Sequence, residues 1–199
     1  MLGNRTTKVL KSVWPEPSKL KFKLPGMLLI LGLILVGAVA RFLPYPPNFS
    51  PIGAMALFAG ATLGSRLRAA LVPLTAMLLS DLWLGMHSLM PIVYGCFLFN
   101  VWLGSRMQSR LQPLRVAGMS IAGAVFFFVV TNGACWFMSY PTTWSGFVSC
   151  YTLALPFFQN TLMGDLFFSA VLFGSFAFAQ WRFPVLRPQG QPQDEVTPA

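Results

Sequence analysis

The sequence predicts an all-α integral membrane protein, with six transmembrane helices in one bundle and both termini in the cytoplasm. Three observations carry this. The 199 residues are 55% hydrophobic and only 10% charged, against about 25% charged in an ordinary soluble domain. No Asp, Glu, Lys or Arg occurs between Arg115 and Asp165, or between Asp165 and Arg182. Gaps of that length accommodate helix crossings, which need roughly 20 apolar residues each. Finally, thirteen of the fourteen Lys and Arg lie in the amino-terminal segment, around 66–68, around 106–115 or in the carboxy-terminal tail. The alternate loops carry only Arg41, at a helix end, and such alternation is the signature of cytoplasmic and outer loops.

Taken in order, residues 1–24 form a basic cytoplasmic segment ending in Lys19, Lys21 and Lys23. The first span runs from about Leu24 to Leu43. Ala38-Val39-Ala40 resembles a signal-peptide cleavage site, but the long basic region and the continuation through Arg41 into further spans favour a retained helix. Pro44, Pro46, Pro47 and Pro51 then break the chain, with Tyr45 as an interfacial anchor. A short second span, about Ile52 to Leu63, is rich in small residues. The third covers about Ala69 to Gly85 and the fourth about Pro91 to Gly104. The fifth runs from about Val116 to Met138. After the uncharged turn 140–144, where Tyr140 and Trp144 read as interface aromatics, a short apolar segment (147–158) is expected to break at Pro156. A sixth span then runs from about Asn160 to Trp181. The spans make one domain, 25–182, followed by a polar tail, 183–199, expected to be disordered.

The net charge of +9 reflects span-end cations and does not call for nucleic acid. Cys96, Cys135 and Cys150 lie in apolar surroundings and lack metal-ligand spacing, so no metal and no cofactor is expected. Cys135 and Cys150 fall near one loop, where a disulfide is conceivable.

Of five acidic residues only Asp81 and Asp165 fall inside spans. A carboxylate there costs at least ~2.5 kcal/mol on insertion scales and marks a site by default; no basic residue within the spans stands ready to neutralise either. With the predicted topology, Asp81, Tyr94, Asn132, Asn160 and Asp165 reach similar depth on the outer side and are expected to line one polar pocket. His87 and Cys96 are further candidates beside it, although a solvated loop histidine and a buried cysteine are the plainer readings. Asn100 lies deeper and reads as interhelical hydrogen-bonding glue. Ala56, Gly60 and Gly64, four residues apart, give one helix face without bulk. It suits close packing within the bundle or docking to another membrane subunit.

The order of these features resembles a known family. Phe49-Ser50-Pro51-Ile52-Gly53-Ala54 opens a small-residue helix after the proline turn, and Ser80-Asp81-Leu82-Trp83-Leu84-Gly85 ends the third span. Over about residues 25–182 this resembles the substrate-binding S-components of energy-coupling factor (ECF) vitamin transporters, closest to a poorly characterised bacterial family of transport-like membrane proteins. The resemblance implies a multi-pass protein of the bacterial cytoplasmic (inner) membrane that binds a small vitamin-like nutrient from the outer side. It also implies partnership with a coupling subunit and ATPases, or a solitary relative working without them. Cobalamin is the leading substrate, with His87 or Cys96 as a ligand to cobalt. The Ala-x-x-x-Ala motif usual in the first helix of the family is missing; Ala56-x-x-x-Gly60 in the second is the nearest equivalent.

The chain contains no G-x-x-x-x-G-K-[ST] motif and no recognisable nucleophile–base set, so it is not expected to be an enzyme. Asp81 and Asp165 lack the Tyr-Asp and Gly-x-Gly-Asp contexts of aspartyl intramembrane proteases. The alternative to transport is a non-catalytic structural or assembly subunit of a membrane complex.

Overall fold

The computed structural model describes residues 24–44, 46–108 and 111–182. The basic amino-terminal segment, Tyr45 and the polar tail lie outside the described residues. Among the described residues there are six helices and no strand: α1 (Leu24–Ala40), α2 (Ile52–Thr62), α3 (Arg66–Leu84), α4 (Met90–Ser105), α5 (Pro113–Ser139) and α6 (Trp144–Arg182). α3, α5 and α6 are long and apolar enough to cross a membrane. α1, α2 and α4 are shorter apolar helices.

α2 is the centre. Every residue from Ile52 to Thr62 is buried, and the helix touches each of the other five. Its sequence, IGAMALFAGAT, permits this because small residues let neighbouring backbones approach. Gly60 meets the backbone carbonyl of Val101 in α4, and Gly104 of α4 meets that of Leu57; a Cβ on either glycine would collide. Larger side chains then fill the flanks, with Phe58 edge-on to Phe173 and Phe176 of α6.

A helix buried at both ends leaves orphan N–H and C=O groups that need partners. At the lower end Gln108 Nε2 donates to Gly60 O at 2.9 Å, and Leu63 N–H donates to Ala59 O at 3.0 Å. Gly64 turns the chain at φ +66°, the left-handed conformation glycine adopts without strain. No side chain of its own caps the upper end at Pro51, so the cap comes from elsewhere.

Two expectations are corrected. α6 does not break at Pro156 but runs unbroken for 39 residues, about 58 Å at 1.5 Å per residue. Proline removes one helical hydrogen bond, yet membrane helices tolerate it where neighbours hold the backbone. Here Phe128 of α5 packs on Tyr151 and Phe158, at ring separations of 5.5 and 4.8 Å, so one side chain clasps α6 on both sides of Pro156. The small-residue face of α2 is also not a free docking surface. Ala56 and Gly60 are consumed by packing inside the bundle, and Gly64 is an exposed turn.

Replacing Gly60 or Gly104 by Val is expected to cost about 1–3 kcal/mol, the usual scale of overpacking. Thermal unfolding of the detergent-solubilised variants measures this. Gly118→Ala, where a Cβ meets open space, is expected to leave the midpoint unchanged or slightly raised.

Candidate functional site

Between Ala40 and Ile52 the chain descends from the end of α1 to the start of α2. Asn48 takes φ +66°, tolerable for Asn, and Phe49 N–H closes a turn on Pro46 O at 2.9 Å. α6 holds this loop down. Asn160 Nδ2 donates to Pro47 O at 2.9 Å, Phe49 packs against Phe167 and Phe168, and a Cβ at Gly164 would crowd Ser50 N at 3.2 Å.

One helical turn after Asn160, Asp165 reaches the start of α2. Its carboxylate presses against Gly53, where any side chain would collide, and accepts a hydrogen bond from the Ala54 backbone N–H. Asp165 is therefore the missing cap. A carboxyl oxygen at a helix amino terminus satisfies an orphan donor and faces the positive end of the helix dipole. It is 6% exposed and has no cationic partner among the described residues.

Because α2 spans only 11 residues, about 16 Å, space remains above its amino terminus. There a cleft of about 390 Å³ opens between the proline loop and the helices, with Gly53, Asp165 and Asn100 among its lining and Phe97, Phe127 and Phe49 on its apolar walls. Arg41 and His87 line it too. Its size lies within the range of small-molecule pockets, mostly apolar with a few convergent polar groups.

Asp81 has a different fate. Arg41, at the end of α1, places Nη1 2.7 Å from Asp81 Oδ1, and Tyr94 OH of α4 donates to Oδ2 at 2.9 Å. The arginine contact is an ion pair without a directed hydrogen bond, since Nη1 donates instead to Met77 Sδ at 2.7 Å and Oδ1 has no linear donor. The expectation that neither aspartate finds a cation is thus corrected for Asp81. Arg41 looked like a loop residue in the sequence, but its long side chain folds back across α3. This ion pair and hydrogen bond tie α1, α3 and α4 together.

The single polar pocket expected from sequence therefore resolves into separate pieces. Asp165 and His87 line the cleft. Asp81 and Tyr94 stand behind Arg41, and Asn160 anchors the loop. Asn132 is not part of the group: its Nδ2 donates to Phe128 O of its own helix at 2.8 Å, and its backbone carbonyl faces Cys150 Sγ at 3.5 Å. Cys96 is buried and does not line the cleft. Among the described residues no cluster of His, Cys, Asp and Glu suits a metal ion, and Cys135 and Cys150 are free thiols.

Asn100 is the residue whose role sequence reasoning misplaced. It is 4% exposed, yet its amide makes no hydrogen bond to another described residue. Gly123 of α5 leaves room for it; a Cβ there would strike Asn100 Oδ1. It lies on the cleft and does not glue helices together. The available signal was the glycine in α5, opposite an asparagine in a neighbouring span.

Arg41→Ala leaves the Asp81 carboxylate buried and unpaired, a loss of about 3–5 kcal/mol. The double variant R41M/D81N, which removes both charges, is expected to recover most of it. Chemical unfolding in detergent reads both, and equal losses in the single and double variants would contradict the ion pair's role.

No curated protein and no solved structure matches the chain. A family model matches residues 22–186, which take in all six helices and every residue placed above, and the chain belongs to that family, the family of unknown function DUF6580.

Proposed function

We propose that this protein is a transport component of the bacterial cytoplasmic membrane. In this reading it binds a small vitamin-like nutrient from the outer side and releases it inward, as an ECF S-component or a solitary relative. The observation that carries the reading is the cleft above α2, a concave, aromatic-walled space with a few polar groups at its floor. The connections at the opposite end carry Arg66, Arg68, Arg106 and Arg115. With the basic end cytoplasmic, a six-span arrangement would put both termini inside and the cleft outside. Exposed apolar side chains along α1 and α3, among them Leu28, Leu31, Leu35, Leu71, Leu78 and Leu82, suit a lipid environment.

Energy would come from a coupling subunit and ATPases or from a solitary mode of action. Because α2 is buried, a coupling subunit would dock on other helices. Cobalamin stands first among substrates on the strength of the resemblance. Of the two residues considered for cobalt, only His87 lines the cleft. A corrinoid is larger than this space, so it would enter by one edge with its macrocycle at the mouth.

Cysteine labelling in intact cells at Pro47, His87 and Thr142 is expected to show all three positions accessible from outside; protection of any one of them reverses the orientation. Expression in vitamin auxotrophs lacking their own carriers is expected to restore growth on a low concentration of one vitamin. If that vitamin is cobalamin, His87→Ala reduces the rescue and Cys96→Ser does not. Growth unchanged across the whole panel would favour a structural subunit instead.

A further inference from the structure

We infer that the floor of the cleft is a subsite for a planar group rich in N–H donors, an amidinium or a carboxamide, held between Asp165 and Asn100. The inference rests on the proposed reading of the cleft as a binding site and adds the chemistry of what it takes.

Two observations meet at the floor. The first is an acceptor with capacity to spare. Asp165 spends one hydrogen bond on Ala54 N–H, and a carboxyl group has further acceptor positions to offer. The one carboxylate–cation pair among the described residues joins Arg41 to Asp81, so Arg41 brings its charge to the cleft already matched while Asp165 does not. The second is an amide without a partner. Asn100 is 4% exposed, lines the cleft and is bonded to none of the described residues. An amide that lines a cleft without a protein partner offers both an acceptor, Oδ1, and a donor, Nδ2, to a ligand.

The glycines fix the geometry. Gly53 and Gly123 are the positions at which a Cβ would collide with the Asp165 carboxylate and the Asn100 amide. The two side chains are seated in gaps in α2 and α5, close to backbone that cannot yield. Phe97 and Phe127, with ring centroids 5.7 Å apart, wall the same cleft and favour a flat guest. A carboxylate ligand is disfavoured, because it brings no N–H donor to the Asp165 oxygens or to Asn100 Oδ1.

The test uses the purified full-length protein in nanodiscs and three probes of one shape: benzamidine, benzamide and benzoate. Binding is read by ligand-observed NMR and thermal shift. Benzamidine or benzamide is expected to bind at least about tenfold more tightly than benzoate, the scale of one hydrogen bond to a charged group. A preference for benzamidine assigns a cationic ligand group, and a preference for benzamide a neutral one. Asn100→Ala, which removes no hydrogen bond between described residues, is expected to weaken the favoured probe several-fold. Asp165→Asn is expected to abolish discrimination against benzoate. Since Asp165 also caps α2, Asn100→Ala keeps the test valid if the aspartate variant fails to fold. Benzoate binding equal to the others, unchanged affinity in Asn100→Ala, or no binding by any probe overturns the inference. These outcomes are independent of vitamin uptake in cells. Probe selectivity without a growth phenotype removes the transport reading alone, and a transported nutrient bound without N–H donors removes the subsite alone.

Discussion

A short helix buried along its whole length sets the terms for everything around it. α2 must have its end groups satisfied inside the protein, because water is not there to do so. Gln108 and the Leu63 N–H close one end and Asp165 the other. The close approaches that make burial possible are backbone to backbone, through Gly60 and Gly104. Since the helix is only about 16 Å long, the space above its amino terminus is filled by a folded-in proline loop and a cleft. The cap and the cleft thus share one cause.

The two carboxylates within helices show how position decides role. Asp81 finds a full cation and a phenol, and its work is to fasten α1, α3 and α4. Asp165 finds only backbone N–H and the positive end of a helix dipole, an interaction worth roughly 0.3–2 kcal/mol. That holds the helix start in place but leaves the oxygens able to accept further donors. Asn100, on the same cleft, adds an amide with no partner among the described residues. A site that is polar, rigidly seated and incomplete is the feature of the molecule that most asks for a ligand.

Much of the fold was legible in the sequence, because charge-free runs and proline breaks fall where helices begin and end. α1 to α5 lie within a few residues of their expected spans. Pro156 misled because the clasp that keeps α6 continuous comes from Phe128, a residue on another helix. The site was legible in part. Asp165 and His87 stood out by rarity in an apolar chain and both line the cleft. The Arg41–Asp81 pair bridges forty positions, and no local pattern announces it. Asn132 and Asn100 are alike as letters in apolar runs. One bonds its own helix and the other faces a cavity, a difference fixed by which residue stands opposite each.

The central claim is that the cleft above α2 is built for a small molecule that completes its floor. Native mass spectrometry of the full-length protein, extracted gently from cells grown in rich medium, tests it most directly. The account predicts a population carrying a discrete small-molecule adduct, released on collisional activation and diminished in Asn100→Ala. Spectra free of any adduct, identical for the wild type and Asn100→Ala, would contradict it.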